Sequence, residues 1–190
     1  MRNRAVKLVR IAIITALYVA LSLAIAPLTF GLIQIRFSEM LVLLCFYNRD
    51  YCYSMIIGCF FVNLFSPLGW IDLLFGTLGT IIAVIAIRFL PRDYLAFIPP
   101  VLCTVFVALE FNLVLHEPFW LSLATIMAGE FIAVGIIGTP IFMLLSKRKE
   151  FLKMVGADDR YFAIKEEIIR AKKYRKVLKE FRAEFKKDKK

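Results

Sequence analysis

Three strongly hydrogen-bonding side chains stand close together between two apolar lengths of this chain. Gln34, Arg36 and Glu39 supply an amide, a guanidinium and a carboxylate. An unpartnered polar group in hydrocarbon costs several kcal/mol, so apolar chains keep such groups where they meet water, one another or a ligand. The pattern therefore indicates a site that holds a polar solute through hydrogen bonds and charge.

Further polar residues interrupt the apolar stretches that follow. Asn63 and Asp72 lie on either side of a turn, and Glu110, Asn112 and Glu130 come later. At about 1.5 Å per helical residue, the first four fall in the outer half of their helices and Glu130 falls near the middle. We therefore predict that carboxylates and amides from five elements, Glu39 among them, converge on one outward-facing pocket.

Aromatic residues accompany these polar positions. Phe37, Trp70 and Phe75 are candidates for stacking on a flat ligand. Trp70 fits equally well in a belt of aromatic residues at the membrane interface. Stacking and interfacial anchoring both stay open for this residue.

Taken singly, the polar residues also have structural interpretations. Asp72 lies near the start of a helix, where it would cap the chain. Arg36 and Glu39 would pair with each other, and Asn63 would bridge two helices. Four carboxylates at compatible depths favour a shared site over four separate structural roles.

Composition places the chain among integral membrane proteins. Of its 190 residues, 61% are hydrophobic and 21% are charged. A helix needs about 20 apolar residues to cross a bilayer, which predicts an all-α bundle of six transmembrane helices. The predicted spans are 8–26, 31–47, 51–65, 70–90, 94–115 and 119–146. The second fits only with its polar residues at the outer mouth, so a re-entrant segment stays open.

The distribution of Lys and Arg predicts the orientation. One side of the membrane receives the N-terminal cluster, the loops after the second and fourth spans and the whole C-terminal tail, whereas the other side receives Arg36. The positive-inside rule therefore places both termini in the cytoplasm and the chain in the cell membrane as a multi-pass protein. A cleaved signal peptide ending near Ala26 is the alternative for the first span.

The charge divides the chain into two parts. Residues 1–146 carry a net charge of +1, and residues 147–190 carry +9. We predict a membrane domain over 1–146 and a cytoplasmic basic tail over 147–190. Apolar residues in the tail recur every three or four positions from Tyr161 to Phe185, which predicts an amphipathic helix of about 25 residues. It would lie on anionic lipid, contact a partner protein or stay solvated.

The first span presents small residues at regular intervals. Ala12, Ala16, Ala20 and Ala24 recur every fourth residue and share one helix face. Small residues let membrane helices approach closely, so this face predicts docking to a partner membrane protein. Packing inside the bundle is the alternative.

Several chemistries find no support in this chain. The sequence has no Walker-type phosphate loop, no His-Glu-x-x-His metal motif and no Gly-x-Ser-x-Gly nucleophile motif. Its four cysteines lack Cys-x-x-Cys spacing and fit small buried hydrophobes. We therefore expect no enzyme activity, no metal site, no cofactor in this chain and no nucleic-acid partner.

Three groups of residues form a pattern that extends over most of the membrane domain. They are Gly31, Ile33, Gln34, Arg36, Ser38 and Glu39; then Asn63, Leu64, Phe65, Ser66, Pro67, Gly69, Asp72, Phe75, Gly76 and Thr80; and finally Gly129 and Glu130. This pattern resembles the QueT family, the substrate-binding S components of energy-coupling-factor (ECF) transporters for queuosine precursors. The resemblance covers roughly residues 5–146.

The resemblance implies a high-affinity binding subunit of an ABC-type importer. Its first helix would dock through the small-residue face on a membrane scaffold subunit, and two cytoplasmic ATPases would hydrolyse ATP. The ligand would be a 7-deazaguanine such as preQ1, preQ0 or queuine. Carboxylates suit its N–H donors and the charge of an aminomethyl group.

Within the implied pocket we expect Glu39, Asp72 and Glu130 to carry most of the binding, with Glu110 contributing. Gln34, Arg36 or Asn63 would address the carbonyl oxygen of the base. The alternative is a stand-alone secondary transporter or channel for a small polar or cationic solute. That class usually shows broken helices and internal repeats.

Overall fold

The computed structural model describes residues 2–29 and 34–187, and all regular structure in these ranges is helical. The α-helices are α1 (Arg2–Ala24), α2 (Ala26–Thr29), α3 (Leu44–Tyr47), α4 (Asp50–Asn63), α5 (Trp70–Phe89), α6 (Ile98–Leu115), α7 (Phe119–Glu130), α8 (Thr139–Leu145), α9 (Lys149–Val155) and α10 (Asp159–Lys187). Short 3-10 helices at Phe37–Leu43 and Asp93–Leu95 precede α3 and α6.

Four stretches in the described residues are long and apolar enough to cross a membrane. They are Arg4–Ala24, Trp70–Phe89, Asp93–Leu115 and Phe119–Leu145. The two other predicted spans correspond to shorter helices, Phe37–Tyr47 and the 14 residues of α4. At about 1.5 Å per residue these are shorter than a bilayer core. The all-helical membrane fold is confirmed, while the count of six spans stays a prediction.

The second predicted span, a helix over 31–47, is longer than the helix in the structure. Residues 34–36 are non-helical, the helix begins at Phe37, and residues 31–33 lie outside the described part of the chain. Gln34 and Arg36 are nevertheless buried. Non-helical backbone is tolerated at membrane depth when protein surrounds it, and this helix is packed against both α1 and the last long helix.

The long helices pack in sequence around this short one. α1 packs on α4, α4 on α5, α5 on α6, and α6 on α7. Gly58 lets α1 approach α4 closely, because a Cβ there would lie 2.8 Å from the ring of Tyr18. The helix Phe37–Tyr47 is buried along nearly its whole second half. The helix Phe37–Tyr47, which follows the polar stretch 34–36, is therefore the central element of the bundle. The outer helices around it are more exposed.

The last long helix changes its winding at mid-length. α7 ends at Glu130, Phe131–Gly138 forms a π-helix, and α8 continues to Leu145. π-helices are rare and occur preferentially at functional sites. Here the π-helix directly follows the buried carboxylate of Glu130.

Two prolines lie at the start of α6 instead of interrupting it. The expected helix over 94–115 contains Pro99 and Pro100, and the structure begins α6 at Ile98. Proline suits the first turn of a helix, where its missing N–H would have had no helical acceptor. The helix is continuous from there to Leu115.

The chain divides into two compact units, Met1–Gly156 and Ala157–Lys190. The first unit reaches beyond the boundary predicted at residue 146, because α9 packs into it. Phe151 is buried against Tyr47, with ring centroids 5.9 Å apart. Asn48 Nδ2 donates to the carbonyl oxygens of Val155 at 3.2 Å and Gly156 at 2.6 Å.

The second unit contains α10, which covers the region predicted to be an amphipathic helix. Its 29 residues begin at Asp159. Tyr161 is buried and Ile164 and Ile168 are half-buried, whereas Phe162 is 49% exposed. The role of this helix stays a prediction.

Candidate functional site

Two hydroxyl contacts join α1 to the 3-10 helix that follows it. The Tyr18 hydroxyl donates to Glu39 Oε1 at 2.5 Å, and the Ser22 hydroxyl donates to Ser38 Oγ at 2.6 Å. All four side chains are buried. Because Tyr18 and Ser22 are one helical turn apart, one face of α1 holds the first polar cluster in place.

A cavity of about 50 Å³ lies next to this contact. Gln34, Arg36, Glu39 and Glu130 supply its charged and amide groups. Apolar and small residues of α5, α6 and α7 complete the wall: Gly76, Gly79, Thr80, Ala83, Pro100, Cys103, Thr104, Val107 and Ile126. The structure thus brings four of the predicted residues from two distant parts of the chain to one cavity.

The cavity lies near mid-depth and is small. Its lining on α5 runs from Gly76 to Ala83, which spans the middle of Trp70–Phe89. Pockets for drug-sized molecules usually measure roughly 300–1,000 Å³, whereas about 50 Å³ holds only a few water molecules at most. Binding of a ring-sized solute therefore requires the walls to move apart. The direction of entry stays a prediction.

Arg36 links the cavity to a second group of buried residues. Its Nη2 atom lies 3.9 Å from Asp72 Oδ1, and its Nε donates to the Thr29 carbonyl oxygen at 3.4 Å. Asn63 Nδ2 donates to the backbone carbonyl of Asp72 at 3.1 Å. Both Asn63 and Asp72 lie beside Gly76, where a Cβ would overlap the Asn63 amide. The two predicted clusters are therefore neighbours.

These contacts decide between the single-residue interpretations. Asn63 does bridge α4 and α5 through its bond to Asp72. Asp72 lies in the first turn of α5, where a carboxylate is favourable for the helix dipole. Arg36 forms its ion pair with Asp72, while Glu39 accepts from Tyr18. A simple Arg36–Glu39 pair is therefore wrong, while a role of Asp72 at the start of its helix stays a prediction.

Several buried polar atoms of this region have no hydrogen-bond partner among the described residues. They are Arg36 Nη2, Asn63 Oδ1, Asp72 Oδ1 and both carboxyl oxygens of Glu110. Glu110 is fully buried, and its carboxyl group lies within hydrogen-bonding reach of the like-charged carboxyl group of Asp72, so one proton shared between them would pair these two groups. Buried polar groups normally find a partner, so such a concentration points to water or a solute that completes them.

The region is rich in negative charge. Glu39, Asp72, Glu110 and Glu130 stand against the single guanidinium of Arg36, so full ionisation would leave a formal charge of −3. Glu130 lies within electrostatic reach of both Glu39 and Arg36. Uncompensated charge in a dry interior is costly. The arrangement is therefore suited to a cationic or proton-sharing solute.

Besides Asn63, Asp72 and Glu110, which form the neighbouring group, four predicted site residues do not line the cavity. Asn112 is exposed and donates to the Glu117 carbonyl at 2.8 Å, so its place in the converging cluster is wrong. Trp70 is 73% exposed on the surface, where an interfacial position explains it better than stacking. Phe37 and Phe75 are half-buried and do not line the cavity.

Gly129 lies where α7 contacts the non-helical stretch 34–36. A Cβ at this position would overlap the carbonyl oxygen of Gln34. A glycine is therefore needed for the non-helical stretch 34–36 to reach α7, directly before Glu130. The close approach explains why a glycine and a carboxylate occur together here.

The small-residue face of α1 is exposed along its whole length. Ala12, Ala16, Ala20 and Ala24 are all exposed. The first three line an apolar surface groove that Phe61 of α4 borders on its other side. Since Tyr18 and Ser22 point inward on the same helix, packing of the alanine face inside the bundle is wrong. Its docking role stays a prediction.

Sequence reasoning missed Tyr18, Ser22 and Thr104, and it named Thr80 only as part of the family resemblance, not as a site residue. Thr80 and Thr104 line the cavity, and Tyr18 and Ser22 position Glu39 and Ser38. The available signal was the spacing of Tyr18 and Ser22, two hydroxyls one turn apart in an apolar helix. Hydroxyl residues are common in membrane helices, so this spacing alone indicated no site.

Comparison with known proteins identifies the family of this chain. The family model described as QueT transporter matches residues 8–147. The Queuosine precursor transporter QueT of Lactococcus lactis subsp. cremoris (strain MG1363) is 32% identical over 166 residues, covering 77% of this chain and 96% of the relative. No solved structure shows significant similarity. The chain therefore belongs to the QueT transporter family and is a multi-pass membrane transport protein.

Proposed function

We propose that this chain is the substrate-binding subunit of an ECF-type importer and binds a queuosine precursor of the 7-deazaguanine class. Family membership supports uptake of such a precursor, since the relative is named as a queuosine precursor transporter. The observation that carries the assignment to these residues is the cavity shared by Gln34, Arg36, Glu39 and Glu130.

The charge of the site favours a cationic ligand. An aminomethyl-bearing 7-deazaguanine such as preQ1 carries an ammonium group that an excess of carboxylates would neutralise, whereas preQ0 carries no such charge. The N–H donors of the base would pair with Glu39 and Glu130, and the Gln34 amide or Arg36 would address its carbonyl oxygen. Asp72 and Glu110 would add negative charge behind Arg36.

The exposed face of α1 supports the need for partners. Four alanines, one at every fourth residue, leave room on this face for another helix to approach closely. Close approach through small residues is how membrane helices associate. The partner would be a membrane scaffold subunit that works with two cytoplasmic ATPases. In this arrangement six spans place both termini in the cytoplasm and the pocket opens outward.

A stand-alone secondary transporter is the second candidate. The observation that favours it is the π-helix Phe131–Gly138, which follows a buried carboxylate near mid-depth. Altered winding beside an ionisable group is typical of coupling sites in such transporters. Uptake of a labelled precursor by cells that express this chain without any coupling ATPase would support this candidate and contradict an ECF-type importer.

Binding is tested by titrating the purified chain with preQ1, preQ0 and guanine. We expect preQ1 to bind most tightly and Glu130→Gln to weaken it by about tenfold or more, because a charged hydrogen bond contributes roughly 1.5–3 kcal/mol. Glu150→Gln, at an exposed position of α9, is the control. Equal affinities of wild type and Glu130→Gln would remove Glu130 from the site.

Docking is tested by adding bulk to the alanine face. Ala16→Trp should abolish co-purification with a scaffold subunit and uptake, while binding of preQ1 by the isolated chain stays unchanged. Ala124→Trp makes the same change at an exposed position of α7 and should have no effect. Normal assembly of the Ala16→Trp protein would show that α1 is not the docking helix.

A further inference from the structure

A second cavity of about 360 Å³ lies between the N-terminal half of α1, the short helix before α4, and the last two helices of the first unit. Its wall is apolar and includes Ile13, Leu44, Phe142, Phe151 and Met154. None of the residues assigned to the precursor site lines it. Its volume is within the range of pockets that bind small molecules.

This cavity is closed on one side and open on the other. Leu44 and Phe151 are buried, whereas Ile13 is 59% and Met154 is 66% exposed. An occupant would therefore enter from the surface of the bundle and lie against its interior. The walls offer it hydrocarbon contacts along most of their area.

Arg10 is the charged residue in this lining. Its guanidinium lies against Gly156, where a Cβ would overlap the Arg10 Nη1 atom. Among the described residues no carboxylate pairs with Arg10, and the nearby Asp50 is 2.6 Å from Lys7. The cavity thus joins an apolar wall to one cation that has no counter-ion in the described chain.

The surrounding sequence adds positive charge at the same end. Lys147 and Arg148 lie between α8 and α9, and Lys149 and Lys153 are part of α9. Basic residues at the ends of membrane helices attract anionic lipid headgroups. One molecule that combines a hydrocarbon chain with a fixed negative charge is a phospholipid with an acidic headgroup.

We propose that this cavity binds an anionic phospholipid, with one acyl chain against the apolar wall and the phosphate on Arg10. The site is separate from the precursor cavity and does not depend on the proposed function. Arg10 also lies at the C-terminal end of α9, where a cation is favourable for the helix dipole. The test must therefore separate lipid binding from this stabilising role.

The test measures lipid binding to the full-length protein by native mass spectrometry. Phosphatidylglycerol and phosphatidylcholine with identical acyl chains are titrated separately, and glycerol 3-phosphate tests the headgroup without chains. We expect one saturable phosphatidylglycerol site and weaker phosphatidylcholine binding. Arg10→Gln should weaken phosphatidylglycerol binding about fivefold, since one basic residue contributes about that factor, and should weaken phosphatidylcholine less, because the choline cation offsets the charge of its phosphate.

Three variants serve as controls. Arg4→Gln removes a charge from an exposed position of α1 outside the cavity and should have no effect. Arg10→Lys keeps the charge and should keep the preference for phosphatidylglycerol. Ile13→Trp fills the open side of the cavity and should weaken both lipids, which supplies an independent result if Arg10→Gln unfolds.

Several outcomes would overturn the proposal. Equal binding of the two lipids by the wild type, or unchanged phosphatidylglycerol binding by Arg10→Gln, would show that Arg10 does not hold the headgroup. Glycerol 3-phosphate binding as tight as that of the lipid would indicate a simple anion site. If neither lipid bound saturably, the cavity would not be a lipid site, and a protein segment would be its expected occupant.

Discussion

At the scale of single residues, the contact between Tyr18 and Glu39 connects the outside of the bundle to the candidate site. Tyr18 lies on the helix that exposes the alanine face, and its hydroxyl bonds a carboxylate that lines the cavity. A buried carboxylate oxygen without a donor is costly, so this hydroxyl supports the position of Glu39. A change in either partner is expected to affect both the fold and the site.

Tyr18→Phe keeps the ring and removes the hydroxyl donor. We expect it to lower the free energy of unfolding by about 1–3 kcal/mol, because Glu39 keeps a buried oxygen without its partner. Binding of preQ1 should weaken as well. Chemical unfolding in mixed micelles and a ligand titration measure the two effects. Tyr53→Phe, at a 57% exposed position, is the control, and equal stability of both variants would contradict the prediction.

Arg36 supplies the positive charge of the polar region. Arg36→Gln should cost about 3–5 kcal/mol of stability, since it leaves the buried carboxylate of Asp72 unpaired. The double variant with Asp72→Asn should recover part of this loss by removing that charge. Unfolding free energies of the single and double variants measure the coupling.

The exposed pair Arg170–Glu166 offers a matched control for Arg36. Its atoms are 2.7 Å apart, yet both side chains are more than half exposed. Arg170→Gln should therefore change stability by no more than about 0.5 kcal/mol. If the double variant of Arg36 and Asp72 were no more stable than Arg36→Gln alone, the ion pair would not explain the cost.

At the scale of elements, the site depends on the short helix Phe37–Tyr47 and on the π-helix Phe131–Gly138. The helix Phe37–Tyr47 leaves residues 34–36 free to place an amide and a guanidinium on the cavity. The π-helix Phe131–Gly138 begins directly after Glu130 and packs against that short helix. The short helix lines the polar cavity through Glu39, and the π-helix begins at the residue after the cavity-lining Glu130, whereas α5 and α6 are regular.

Gly129→Ala tests the contact between these two elements. The added methyl group would overlap the Gln34 carbonyl oxygen, so stretch 34–36 must shift away from α7. We expect a loss of about 1–3 kcal/mol in stability and weaker binding of preQ1. Ala128→Val adds bulk at the neighbouring exposed position and should be neutral. Wild-type affinity and stability in Gly129→Ala would show that the contact is not needed.

At the scale of the whole molecule, the membrane unit includes α9 and ends at Gly156. The aromatic contact of Phe151 with Tyr47 and the bonds from Asn48 and Tyr51 to the end of α9 hold this helix in place. The lipid cavity proposed above also needs α9 as a wall. Only residues after Gly156 form the second unit.

Two truncations compare these boundaries. A chain ending at Gly156 should insert in membranes and bind preQ1 like the full-length protein, because all residues of the candidate site lie before it. A chain ending at Ser146 should lose at least about 3 kcal/mol of stability, since it removes buried Phe151 and Val155. Thermal unfolding and ligand titration measure both, and equal stability of the two chains would place the boundary at residue 146.

Much of the protein was predictable from the sequence because the bilayer imposes strong rules on composition. Long apolar stretches predicted the all-helical membrane fold, and the boundaries expected for 70–90 agree closely with Trp70–Phe89. The motif around Gln34, Arg36 and Glu39 identified the family, and the α1 repeat correctly indicated an exposed face. These properties depend on local composition and periodicity.

Only the tertiary structure decided which polar residues meet. Depth along a helix placed Asn112 beside the site, yet its side chain lies on the surface. Tyr18, which sequence reasoning missed, reaches Glu39 across 21 residues of chain. Depth follows from a count of residues along one helix. Which face of that helix turns inward depends on how all the helices pack, and a count of residues along one helix does not contain that information.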